Sequence, residues 1–264
     1  MHVRVPLDQG WKARRQHTAT ASAAAPGKRR FRKNADAGRV PRSGPAELEE
    51  DSVKRVISVL FALVFAAAVV AAQTPDGVKT HIGHVMTGFN GTPMNQGLLP
   101  TAVAEAKIAA QHAALAMKAS GNLEQMKLHA GHVLHALDPS IEAAGPGLGY
   151  GVKRAAMGAA QHVGLAAKVE GASKNVMTHS NHVATSAGNV VKWADELIGV
   201  AREIRAASNA SQVTAHLPHL NAVAQQLYAG VDANRDGAVG WQEGEGGLQQ
   251  AEMHMGLMMK GEGL

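Results

Sequence analysis

The sequence predicts an all-α protein, an up-down helical bundle built from two duplicated helical hairpins. Ala-rich segments with apolar residues at helical spacing run from Thr101 onward, and none shows the two-residue alternation of a half-buried strand. Turn signals divide them at short intervals, at Ser120-Gly121, Asp138-Pro139 and Gly171 with Ser173. An internal repeat links the pieces: "AAQHAALAMKASG" from Ala109 returns as "AAQHVGLAAKVEG" from Ala159, an offset of 50 residues at which 11 of the 30 positions 107–136 are identical.

Taken in order, Pro100 with Thr101 opens a helix that ends at Ser120-Gly121. Asn122 followed by Gln125 has the form of a capping box for a second helix, Leu123 to Leu137, which the Asp138-Pro139 pair stops. A loop, "GPGLGYG", leads to a third helix from Val152 to about Val169, and Ser173 precedes a fourth that runs to about Ala206. Asn209 starts a fifth, with a bend expected at Pro218. Near the C-terminus Leu248, Ala251, Met255, Met258 and Met259 fall on one helical stripe, so their thioethers read as core packing rather than as a copper box.

The N-terminal quarter reads differently. Val53 to Ala72, "VKRVISVLFALVFAAAVVAA", places two basic residues before an apolar run that ends in small residues, the form of a secretory signal peptide cleaved near Ala72. The alternative is a membrane anchor over residues 53–74, because Val56 to Thr74 is uncharged and approaches the ~20 residues that span a bilayer. Residues 1–52 are Ala, Pro, Gly, Ser and Arg without period, either a disordered basic leader or a mis-assigned start upstream of Val53. The organisation expected is therefore leader 1–52, signal 53–72, a His-rich bundle 73–220 and a C-terminal segment 221–264, in an exported, periplasmic or extracellular protein. A membrane partner follows only if residues 53–72 stay uncleaved.

Composition narrows the chemistry. Residues 1–72 hold 13 of the 26 basic and 6 of the 21 acidic side chains, so the leader is +7 and the remainder −2. A body with that charge and with 3% aromatic residues offers no basic groove for nucleic acid. Cysteine is absent, which excludes disulfides, thiolate metal sites and a Cys nucleophile. No nucleophile elbow or phosphate loop occurs, and the reading is of a binding protein rather than an enzyme.

Histidine is the residue type that asks for an explanation. The 50-residue offset carries His112 to His162, His129 to His179 and His132 to His182. His112 lies nine residues before Gly121 and His129 eight after it, so an antiparallel hairpin sets them opposite each other, and His162 and His179 stand likewise about Gly171. The expectation is two triads, His112 with His129 and His132 and His162 with His179 and His182, sharing one layer of the bundle ~13 Å from the turns. His135 faces Thr185 in the repeat and is peripheral. Two more H-x-x-H pairs, His81 with His84 and His216 with His219, flank this core as secondary candidates, and His254 is unassigned. Neutral imidazole is a common ligand for transition metals, so Zn, Cu or Ni is the implied occupant, with bis-His haem b electron transfer and a purely structural helical scaffold as alternatives. The Glu-x-x-His signature of a di-iron bundle is missing.

One further motif is specific. "DANRDGAVGWQE", Asp232 to Glu243, fits D-x-[DN]-x-[DN]-G-x5-E and resembles the calcium-binding loop of the EF-hand family over twelve residues. The resemblance implies Ca²⁺ held by Asp232, Asn234 and Asp236 side chains, the Ala238 carbonyl, a water at Gly240 and both carboxylate oxygens of Glu243, with Gly237 allowing the turn. The glycines at 244, 246 and 247 imply that the outgoing helix starts late, and no second loop is present, so a single clipping site is expected rather than a paired switch.

Overall fold

A computed structural model describes residues 73–264, and the leader and signal segments expected at 1–52 and 53–72 lie outside the described residues. Seven α-helices and three short 3₁₀ turns account for the regular structure, with no strand among the described residues. The helices are α1 (Asp76–Met86), α2 (Leu98–Lys118), α3 (Leu123–Leu137), α4 (Val152–Ala166), α5 (Lys174–Ala206), α6 (Leu217–Ala229) and α7 (Leu248–Glu262). None is long and apolar enough to cross a membrane.

Small side chains set the packing. On α2 Ala102, Ala106, Ala109, Ala113 and Ala116 are at most 1% exposed and follow helical spacing, and Ala155, Ala156, Ala159 and Ala166 repeat the device on α4. An Ala stripe lets helix axes approach closely with little side-chain entropy lost. Larger groups, Leu98, Leu99, Leu137, Leu197, Leu227 and Met255 among them, fill the remaining core. Helix α2 packs on α3, α4 and α6, while α5, 33 residues long, packs on α3, α4, α6 and α7. Helix α1 lies against α4.

Local signals begin the helices. The Asn122 carboxamide oxygen accepts from the Gln125 N–H at 3.2 Å, and the Ser173 hydroxyl accepts from the Val176 N–H at 3.1 Å, each satisfying an orphan donor at a helix start. Gly121 (φ +91°) and Gly171 (φ +79°) make the two hairpin turns in the left-handed region. Helix α4 has no side-chain cap of its own, its N-cap being Gly151. There the buried Glu105 of α2 serves, its Oε1 accepting from the Tyr150 and Gly151 N–H groups at 2.9 and 3.0 Å. A carboxylate at that position also meets the positive end of the helix dipole.

Two details depart from expectation and a third agrees with it. Residues 76–86, for which no helix is expected, form α1, whose Val78, Ile82 and Val85 enter the core. The fifth helix does not bend at Pro218; two 3₁₀ turns precede it and the proline sits in its first turn, where a missing N–H costs nothing. The C-terminal stripe is core, with Leu248, Ala251, Met255 and Met258 all 0% exposed, and α7 lies on α5.

Candidate metal centres

An H-x-x-H pair puts two imidazoles on one face of a helix, because three residues turn through slightly less than one full turn. Such pairs on α1, α3 and α5 hold their ring centroids 6.0, 5.8 and 5.8 Å apart. Each pair meets one histidine from a neighbouring helix. His112 Nδ1 of α2 lies 3.1 Å from His129 Nδ1 and 3.2 Å from His132 Nδ1 of α3. His162 Nδ1 of α4 lies 3.0 Å from His81 Nδ1 and 3.4 Å from His84 Nδ1 of α1. His254 Nδ1 of α7 lies 3.1 Å from His179 Nδ1 and 3.4 Å from His182 Nδ1 of α5. The result is three triads, each with ligand atoms within 4.8 Å of one another.

Hydrogen bonding alone does not account for this arrangement. A neutral imidazole Nδ1 carries either one proton or one lone pair, so the central ring of a triad makes one hydrogen bond through that atom and not two. A cation at the centre satisfies all three nitrogens together. Metal–nitrogen bonds of about 2.0–2.1 Å in tetrahedral geometry imply N···N edges of about 3.3 Å, close to the 3.0–3.4 Å between each central Nδ1 and its two neighbours. The three clusters can hold metal ions.

Seven of the nine rings are held toward the neutral form. The central His112 and His254 are pushed down to about 4, by burial first and then by the two neighbouring imidazoles. His162 is lowered for the same reasons, with burial leading and His84 and His81 adding to it. Burial also lowers His81, His129, His132 and His182. Neutral rings with free lone pairs are the state a metal requires.

The surroundings of the triads differ. Phe89 meets His84 and His162 edge-on, with centroids 5.4 and 5.2 Å away, and a cavity of about 610 Å³ opens beside His162. Gly131, the Glu142–Arg205 ion pair and His132 line a smaller cavity of about 260 Å³ at the α2–α3 triad. At the third, the Trp241 indole lies flat on His182, centroids 3.9 Å apart and planes 17° from parallel.

No protein-family model matches this chain, and no curated protein or solved structure is significantly similar to it.

Of the residues singled out in the sequence, His112, His129 and His132 come together. His162 does not join His179 and His182, and the six imidazoles form no common cage; the α4 and α5 rings turn to α1 and α7 instead. His81 and His84, secondary in the sequence, are full members of a triad, and His254 is the centre of another. His216 and His219 pair with Glu203 (3.5 Å) and Glu196 (2.8 Å) of α5. His135 is buried, its Nδ1 2.8 Å from the Glu142 carbonyl. Counting alone does not find the third centre, because four separate H-x-x-H pairs stand against the three isolated histidines His112, His162 and His254 and nothing local excludes His216 with His219.

The acidic loop is ordered by its own amides. Asp236 N–H donates to Asp232 Oδ1 (3.1 Å) and Asn234 Oδ1 (2.8 Å), Gly237 N–H to Asp232 Oδ2 (3.0 Å), and Ala238 N–H to Asp236 Oδ1 (2.9 Å). Gly237 has φ +93°, the turn expected of it. Glu243 is turned outward, 78% exposed on an ion pair with Lys192, and is not gathered with Asp232 and Asp236. The carboxylate folded into the loop is Glu245, 3% exposed, which accepts from the Asn234 and Gly240 N–H groups at 3.2 and 3.1 Å.

Proposed function

We propose that this is an exported metal-binding protein that holds up to three transition-metal ions, one in each imidazole triad, and sequesters them without turnover. The observation that carries this reading is the convergence of three Nδ1 atoms at three separate helix–helix contacts, an arrangement that imidazole hydrogen bonds cannot satisfy. Borderline ions such as Zn²⁺, Cu²⁺ or Ni²⁺ suit all-imidazole sites. A bare ion is favoured over haem, because axial nitrogens on opposite sides of a haem iron stand about 4 Å apart, wider than the contacts at the centre of each triad.

The loop at 232–243 adds a second binding activity to the proposal, for Ca²⁺. Asp232, Asn234 and Asp236 offer hard oxygens around the Gly237 turn. Closing the coordination through Glu243 requires that side chain to leave Lys192, which implies weak binding, of order 10⁻⁴ to 10⁻³ M.

The test is direct. The full-length protein is stripped with a chelator and titrated with Co²⁺, followed by visible absorption and elemental analysis. Three equivalents are expected, and one is lost in each variant that replaces a whole triad by alanine. Absence of any binding to the wild type would refute the proposal. Calorimetry with Ca²⁺ on wild type and Asp232→Ala tests the loop, and equal heats from the two would remove it from the reading.

A further inference from the structure

Among the described residues, the third triad is the one centre whose cover is tied to both helices that supply its histidines. Trp241, which stacks on His182, belongs to the connection between α6 and α7. Asn189 of α5, two turns beyond His182 and 2% exposed, fastens that connection. Its Nδ2 donates to the Gln242 carbonyl (2.8 Å) and the Gly246 carbonyl (3.1 Å), and its Oδ1 accepts from the Gly244 N–H (2.8 Å). From the other side Gln250 of α7 donates to the Val239 carbonyl at 2.7 Å. Loop, indole and imidazole thus form one packed unit, so that movement of the loop also moves the His182 ring.

Ring orientation is a large part of metal affinity in an imidazole site. A ligand ring held at the correct angle by its neighbours loses little freedom when the ion binds, and changing such an outer partner typically costs 10- to 100-fold in affinity. Flat stacking is a constraint of this kind, since tilting the imidazole breaks its face contact with the indole. Phe89 touches its histidines edge-on, which constrains them less. The α2–α3 triad has neither arrangement: its ring contacts are among its own three histidines.

We propose that Trp241 is the positioning residue of the third triad and that the α6–α7 loop is its cover, setting the transition-metal affinity of that one centre. This rests on the reading that the triads bind transition metals. Any event that loosens the loop then lowers the affinity of His179, His182 and His254 for their ion and leaves the other two triads as they were.

The experiment uses three substitutions in the full-length protein. Trp241→Ala removes the stack, Trp241→Phe keeps a flat aromatic surface, and Asn189→Ala releases the loop without touching an imidazole. Each is titrated with Co²⁺ beside the wild type, and the two remaining triads in the same molecule report whether the fold is intact. Trp241→Ala and Asn189→Ala are expected to weaken one equivalent of three by about 10- to 100-fold, with Trp241→Phe close to wild type. Wild-type tryptophan fluorescence is expected to fall in step with a single equivalent of Cu²⁺, and to lose that step in His254→Ala. Equal weakening of all three sites, or no change in any, would overturn the proposal while leaving three-site binding in place. A wild type that binds no Co²⁺ would remove both.

Discussion

The α2–α3 and α4–α5 hairpins share a sequence pattern and use it differently. In the first, His112 crosses to His129 and His132 and the triad closes between residues 17 and 20 positions apart. In the second, the equivalent imidazoles part company. His162 joins His81 and His84 of α1, 81 and 78 residues away, and His179 and His182 join His254 of α7, 75 and 72 residues away. The buried positions that join the helices are kept, with one change of size: Ala109, Ala113 and Ala116 in one copy, Ala159, Val163 and Ala166 in the other, all 0% exposed. What changes is the neighbourhood. Helices α1 and α7 lie beside the second hairpin with imidazoles of their own, so the partner of each ring is decided by which helix lies next to it.

The sharpest way to break this comparison is a single substitution. His162→Ala is expected to lower Co²⁺ stoichiometry from three equivalents to two and to leave the centre of His179, His182 and His254 at wild-type affinity. If it disabled that centre as well, the second hairpin would be behaving like the first. Metal removal separates the hairpins next. An ion at 100 times its dissociation constant stabilises the folded chain by about 2.7 kcal/mol, and two of the three ions tie the first and last described helices, α1 and α7, to α4 and α5. Chelation should therefore raise hydrogen exchange in α1 and α7 more than in α2 and α3, as read by mass spectrometry.

Acid provides a third test. The lowered histidines prefer to be neutral in the folded state, so the unfolded chain binds more protons between the ordinary value of 6.5 and about 4. Stability and metal content should be flat above pH 6.5 and fall as pH drops toward 4, measured by thermal melts and by metal retained on dialysis. Loss centred above pH 7 would contradict the burial of the rings.

Two smaller effects should be the same in both hairpins. Ala109→Leu and Ala159→Leu overfill equivalent points and should each cost about 1–3 kcal/mol in denaturant unfolding. Asn122→Ala and Ser173→Ala remove the caps that start α3 and α5 and should each cost about 1 kcal/mol. A marked inequality within either pair would mean that the shared pattern does not carry shared packing.

Legibility followed the range of the interaction. The caps at Asn122 and Ser173, the turns at Gly121 and Gly171, and the first triad depend on residues within one hairpin, and each could be read from spacing. Helix α1 was hidden because eleven residues with few strong helix formers owe their helicity to Val78, Ile82 and Val85 entering a core that other helices build. His254 was hidden because a lone imidazole in a Met-rich stripe carries no periodic signal. Trp241 was hidden because nothing local tells a loop indole which ring it will cover. Glu245 competes with Glu243 for the acidic loop through burial, and burial is not written in the twelve-residue motif.

By itself the sequence determined that this protein is helical, that its helices meet through small side chains, and that imidazole is the chemistry it repeats. Those properties follow from composition and period, which act over a few turns of chain. The tertiary structure decided which imidazoles face each other, splitting an expected cage of six into three triads of three. Period fixes the side of a helix on which a ring projects, whereas the ring's partner is whatever close packing brings to that side from elsewhere in the chain.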